Sequence, residues 1–257
     1  MKPFPQIMVA PNGARRTKAD HPAIPVSIEE TVVTARACFE AGAGAIHAHV
    51  RDETDAHVLD VERYRSLLAQ MQQSVPDMVV QITTEAVGRY SAEEQRTLLR
   101  ELRPAFASIA LAELISDCDD AAYAAFLMEL ETQGTHPQHI VYDAEQFSRL
   151  LTIFEEQTTP TPLPDTLFVL GRYTKGQVST PADLDPFLKI LARHPETPWT
   201  ICAFGPGETD CLARAAELGG RVRVGFENSL WNRDGSVATD NVERVREVTK
   251  AIEAVTR

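Results

Sequence analysis

The chain is poor in the features that announce several common protein classes. Its four cysteines, Cys38, Cys118, Cys202 and Cys211, form no C-x-x-C pair and no disulfide-like cluster, so they read as buried free thiols. Positive charge is scarce: 25 Lys and Arg against 37 Asp and Glu leave a formal charge of −12. That argues against a nucleic-acid surface, which needs clustered cations to neutralise phosphates. It leaves room for an anionic small substrate, because a few inward-pointing arginines can reverse the local field. Long apolar runs are missing. The longest, around Ala105–Ala112, is too short to cross a bilayer, so no membrane partner is expected. Met1-Lys2-Pro3-Phe4-Pro5 has no apolar signal-peptide core, and the expected location is the cytoplasm. The G-x-G-x-x-G turn of dinucleotide-binding sheets is absent, as is a nucleophile-elbow serine.

What is present is an alternation of short apolar runs with longer amphipathic stretches. Strands are predicted at Gln6–Ala10, Ala45–Val50, Met78–Thr84, Phe106–Leu111, His139–Asp143, Leu167–Gly171, Trp199–Ala203 and Arg221–Gly225. A helix is predicted in each gap and a last one from about Asn241 to Thr256. Ser27-Ile28-Glu29-Glu30 and Ser91-Ala92-Glu93-Glu94 have the form of capping boxes. Thr180-Pro181 reads as a helix start, with Gly42 and Gly219 at helix ends. Such βα units demand a parallel sheet covered by helices. Eight of them in 257 residues, with no linker or composition break, fit a single (β/α)8 TIM barrel over residues 1–257. An open doubly wound sheet is the alternative, but the first predicted strand runs into Pro11-Asn12-Gly13-Ala14-Arg15-Arg16 rather than a Gly-rich fingerprint.

Chemistry concentrates at two strand ends. In His47-Ala48-His49 the two-residue period points both imidazoles the same way, roughly 7 Å apart along the backbone. Two neutral imidazoles so placed suit a transition metal such as zinc; equally, they can simply fill the barrel with satisfied hydrogen bonds. On the last strand, Val222 and Val224 alternate with Arg223 and Gly225, which would aim Arg223 and Glu227 into the barrel. Charges there are costly unless paired or liganded. Glu227 is thus placed either to complete a metal site with His47 and His49 or to pair with Arg223. Three protein ligands would leave an open coordination position, the mark of a catalytic zinc site.

With these pieces in view, the sequence resembles the β-keto acid cleavage enzymes over nearly its whole length. The resemblance rests on Asn12-Gly13-Ala14, Glu40-Ala41-Gly42-Ala43, His47-x-His49-Val50-Arg51-Asp52, Gln81-Ile82-Thr83-Thr84, Phe168-Val169-Leu170-Gly171 and Gly219 through Asn228. It implies a zinc-dependent TIM-barrel enzyme, a homo-oligomer (dimer or tetramer). Its reaction would pair a small β-keto acid with acetyl-CoA to give acetoacetate and a new acyl-CoA. It further implies His47, His49 and Glu227 as zinc ligands, Arg223 as a catalytic arginine and Thr83 as the strand-three hydroxyl that contacts substrate.

The chain departs from the family pattern in several places. Asn228 stands where the family has an aspartate base, and a neutral amide cannot accept a proton near neutrality. Glu85-Ala86 replaces a Gly-Gly pair beside Thr84. Ala110-Leu111-Ala112-Glu113 replaces a polar, Gly-rich stretch. Arg15 and Ile140 stand where the family has glutamates. Glu85 and Glu113 are therefore new carboxylates at strand ends, able to supply a relocated base or to stay solvated. Arg15 and Thr84 are further candidate substrate contacts. Two other functions stay open: a zinc-dependent C–C lyase, retro-aldol or decarboxylase, that uses no CoA, and a relative that binds ligand without turnover. His21, His57, His136, His139 and His194 lack ligand spacing and read as loop or surface residues. The loop Arg172-Tyr173-Thr174-Lys175-Gly176 reads as a CoA-phosphate contact or a solvated basic loop.

Overall fold

A computed structural model describes residues 4–156 and 163–256; Met1–Pro3 of the N-terminal stretch read above lie outside them. Strands β1 (Ile7–Val9), β2 (Ala45–Ala48), β3 (Val79–Thr83), β4 (Phe106–Ala110), β5 (His136–Val141), β6 (Asp165–Leu170), β7 (Trp199–Ala203) and β8 (Arg221–Val224) close into a barrel in chain order. All neighbours are parallel, and β8 returns to β1 through Ile7–Val222, Met8–Arg223 and Val9–Val224. The fold is thus the TIM barrel that the βα alternation requires.

The helices between the strands are α1 (Ile28–Glu40), α2 (Val61–Ser74), α3 (Ala92–Leu102), α4 (Leu111–Leu114), α5 (Asp120–Thr132), α6 (Ala144–Glu155), α7 (Asp185–Leu191), α8 (Glu208–Glu217) and α9 (Asn241–Val255). Ser27 with Glu30, and Ser91 with Glu94, form the two capping boxes that open α1 and α3. The helix expected after Thr180 opens instead as a 3-10 turn, Pro181–Leu184, before α7. Pro186 has no N–H to give an α-helical bond to Ala182, so the α-helix restarts there.

Two strands begin earlier than their apolar runs suggest: β5 at His136 rather than His139, and β6 at Asp165 rather than Leu167. Their first residues include polar ones that pair side by side on adjacent strands, facing the barrel interior. Gln81 donates to Gln138 (3.1 Å), and Gln138 donates to Asp165 (2.9 Å) and to the Thr200 hydroxyl (3.1 Å). Arg221 donates to the second Asp165 oxygen at 2.8 Å. Buried amides and carboxylates are tolerable only when their hydrogen bonds are made in this way. Phe4, Met8 and Ala45 form a small apolar cluster of their own, while the outward residues of the strands, among them Ile46, Ile82, Ile109, Phe168 and Val222, belong to the large core under the helices. The strand C-termini and their loops are left to build the site.

Candidate metal centre and cavity

His47 is carried by β2, His49 follows one residue past its end, and Glu227 follows β8, two strands away around the barrel through β1. The two Nε2 atoms lie 3.1 Å apart, and Glu227 Oε2 is 3.5 Å from each. Two glycines allow this approach. Gly13 (φ +61°) passes so close that a Cβ there would sit 2.6 Å from Glu227 Cγ, and Gly225 (φ +140°) so close that a Cβ would meet the Ala10 carbonyl at 2.5 Å. The Gly225–Phe226 turn is held from behind: Glu208 accepts the Gly225 N–H (3.3 Å), and Asn241 accepts the Phe226 N–H (2.9 Å). Glu208 is itself fully buried against Arg244 at 2.8 Å.

The tautomers of the histidines follow from their outer partners. His47 Nδ1 lies 2.8 Å from Gln81 Oε1, which can only accept, so Nδ1 carries the proton and Nε2 an electron pair. His57 Nε2 faces the Glu85 carbonyl at 3.0 Å and so carries that ring's proton. The His57 Nδ1 is then an acceptor for His49 Nδ1, 3.4 Å away, and His49 also turns a lone pair inward. Burial lowers His47 to about 4 and His49 to about 3, so both imidazoles are neutral at physiological pH. Burial alone would raise Glu227, but the Arg223 guanidinium beside it overcomes this and holds the carboxylate ionised, well below the usual range. Two lone pairs and a carboxylate oxygen with no hydrogen-bond partner among the described residues therefore converge on one point. Such an arrangement repels itself unless a cation lies between, and the donor set, two imidazoles and a carboxylate, fits zinc.

A cavity of about 130 Å³ opens beside the triad. Arg223 reaches it from β8. One Nη donates to Glu227 Oε1 at 2.9 Å and approaches Cys202 Sγ at 3.3 Å, while Nε and the other Nη are buried with no partner among the described residues. The Thr83 hydroxyl accepts the Glu85 N–H (3.1 Å) and the Ser108 hydroxyl (3.4 Å), which leaves its own proton for a ligand. Glu85 lies 4.0 Å from His49 Nε2 and 3.9 Å from Arg172, and burial raises it to about 7, with Glu227 adding to the shift. Glu113 also lines the cavity; its carboxylate accepts the Ala86 N–H at 3.0 Å and is raised, chiefly by burial. Arg15 is exposed at the mouth, and Arg172 lies over the Phe204 ring at 5.3 Å.

Two candidates from the sequence do not reach the cavity. The Thr84 hydroxyl donates to the Ser108 carbonyl at 3.2 Å on the far side of β3, since neighbouring strand residues face opposite ways. Asn228 is fully buried and does not line the cavity, and its amide has no partner among the described residues. Of the histidines expected at loops or surface, His21 and His57 lie in loops but are buried, and His139 lies on β5. His57 is buried behind His49. His139 is buried under the helices, 3.0 Å from the Tyr123 hydroxyl, and His21 packs on the edge of Phe226. His57, Gln81 and Ser108 are site residues that the sequence reading missed. Gln81 had a signal, being an amide in an apolar strand with the same parity as Thr83. His57 had none, because a turn after the H-x-H motif, closed by the Arg51–His57 bridge, brings it back.

The rest of the motif is scaffold. Arg51 donates to the carbonyls of Gly13 (2.5 Å) and Arg16 (2.8 Å) and clamps the first loop, while Asn12 pairs with the His49 backbone in both directions.

Fold and triad together define a (β/α)8 barrel with a metal-type site at the C-terminal mouth, the end where barrel enzymes place their chemistry. Residues 6–257 match the family model described as beta-keto acid cleavage enzyme, and the chain belongs to that family. The 3-keto-5-aminohexanoate cleavage enzyme of Acetoanaerobium sticklandii is 28% identical over 252 residues, 93% of this chain and 88% of the relative. The 3-oxoadipate:acetyl-CoA acetyltransferase of Cupriavidus necator is 25% identical over 254 residues, 96% of this chain and 88% of the relative. Among solved structures, a binary complex of ObcA with oxaloacetate superposes with a TM-score of 0.70 at 17% identity, covering 89% of this chain and 63% of that one, and supports the fold.

Proposed function

We propose that the protein transfers acyl groups between a small β-keto acid and acetyl-CoA, with zinc held by His47, His49 and Glu227. The observation that carries this reading is the unpartnered, buried N–H face of Arg223 beside the converging triad, a receptor for a carboxylate next to a cation site. The names of the relatives couple β-keto acids with cleavage and with acetyl-CoA, and family membership supports the same chemistry here. Bound zinc supplies Lewis-acid polarisation of the keto acid's oxygens, which makes the C2 proton removable.

The chain's own residues account for the rest. Arg223 docks the substrate carboxylate, and the Thr83 hydroxyl, its lone pairs already engaged, donates to a substrate oxygen. Asn228 can neither accept a proton nor reach the cavity, so the base must lie elsewhere. Glu85, beside His49 and open to the cavity, takes the C2 proton. The resulting carbanion attacks the acetyl thioester, forming a C–C bond and releasing CoA thiolate. Thiolate then adds to the original keto carbon, the bond between it and C2 breaks, and Glu85 returns its proton to C2. Acetoacetate and a new acyl-CoA leave, with atoms and charge balanced.

The test is to incubate zinc-loaded protein with a panel of β-keto acids, with and without acetyl-CoA, and to measure acetoacetate. Product that requires acetyl-CoA supports the reading; product without it points to a CoA-independent lyase, and no product across the panel overturns it. Glu85→Gln should lower turnover by about 100-fold or more while zinc content and keto acid binding stay unchanged.

A further inference from the structure

The cavity has two unlike halves. β1, β2, β3 and β8 with their loops supply the triad, Arg223, Thr83 and Asn12. Opposite them, β5, β6 and β7 with their ends supply Ile140, Tyr142, Val169 and Phe204, which pack with Leu167 and Cys202 as a cluster separate from the main core. The one charged side chain that this half brings is Arg172, in the loop after β6. The charged groups nearest to it are engaged: Arg172 lies over Phe204 and faces Glu85 at 3.9 Å, and Glu113 holds the Ala86 N–H at 3.0 Å. Arg16 donates to the Phe226 carbonyl at 2.5 Å.

Resting on the function proposed above, we infer that the substrate is a β-keto acid with a short, uncharged alkyl tail beyond the keto carbon, seated on Ile140, Val169 and Phe204. With carboxylate and keto oxygen drawn to the polar half, the carbons beyond C3 must cross to the apolar half. A charged tail buried there would lose its hydration and meet only partners that are already engaged. A second carboxylate would need Arg172 to leave Glu85 or Arg15 to turn in from the surface, and an ammonium would need Glu113 to release its backbone donor. The volume of about 130 Å³ is small beside the roughly 300–1,000 Å³ of sites for drug-sized ligands, which holds the tail to a few carbons.

The test compares three probes on the zinc-loaded protein: 3-oxohexanoate, 3-oxoadipate and 5-amino-3-oxohexanoate. Binding is measured by calorimetry and kcat/KM with acetyl-CoA. The alkyl probe should bind and react at least about tenfold better than either charged one, and lengthening from 3-oxobutanoate to 3-oxohexanoate should tighten binding by about fourfold per methylene. Equal or better use of a charged probe overturns the inference. Binding in the expected order without turnover would refute the proposed reaction and leave the tail assignment standing. Ile140→Gln should abolish the alkyl preference while zinc binding is retained; Ile140→Val, a milder change, should lower kcat/KM for the alkyl probe alone. A Gln variant that folds, binds zinc and keeps the preference also refutes the assignment.

Discussion

Replacing Gln81 by methionine removes the acceptor that holds the His47 Nδ1 proton, a 2.8 Å hydrogen bond in a fully buried setting. The new side chain fills similar volume but leaves the imidazole free to rotate or change tautomer. Losing an outer partner of this kind costs a metal site about 10- to 100-fold in affinity. That corresponds to about 1.4–2.7 kcal/mol, so zinc should stabilise the variant by that much less than it stabilises the wild type at the same free zinc concentration. The unpaired Nδ1–H and Gln138 amide oxygen add a separate cost of about 1–3 kcal/mol each to the metal-free fold. The two effects separate in one experiment: urea unfolding with and without zinc, alongside zinc affinity by competition with a chromophoric chelator. A variant that loses stability but binds zinc with wild-type affinity would refute the tautomer argument.

Arg223→Lys keeps a charge but loses the planar fork shared between Glu227 and the cavity, so kcat/KM for the keto acid should fall by about 100-fold or more while one zinc per chain is retained; steady-state kinetics with zinc analysis decides. Gly13→Ala places a Cβ at φ +61° against Glu227 Cγ, so a stability loss of about 1–3 kcal/mol together with weaker zinc binding is expected from unfolding and chelator titrations. Acid should unfold the metal-free protein early. Burial lowers His47 and His57 to about 4 and His49 and His139 to about 3, so below the unfolded value near 6.5 the unfolded chain binds more protons. Each histidine then removes up to about 1.4 kcal/mol per pH unit as pH falls from 6.5 toward 4. Glu85 and Glu208, raised to about 7 by burial, and Glu113, also raised by burial, act in the opposite sense, and four histidines outweigh the three. Urea midpoints that fail to drop between pH 6.5 and 5 would contradict this balance.

The barrel was legible because its cause is local: each apolar run and each capping box announces its own element. Arg223 and Glu227 were legible for the same reason, since charges on the inward parity of an apolar strand must have a partner. The same parity rule should have separated Thr83 from Thr84, which cannot both face the cavity. β5 and β6 began earlier than expected because Gln138 and Asp165 satisfy each other on adjacent strands, a pairing distant in sequence that hydrophobic periodicity does not register. His57 escaped notice because a turn, not a spacing, carries it to His49. Asn228 marked a departure from the family pattern, but only the structure leaves it out of the cavity lining and brings Glu85 into it.

The central claim is the cation site, and anomalous X-ray diffraction at the zinc edge from crystals of zinc-loaded protein tests it most directly. One peak per chain should lie within bonding distance of His47 Nε2, His49 Nε2 and a Glu227 oxygen, and should vanish in His49→Ala. No peak at the triad, or a peak undiminished in that variant, would contradict the account.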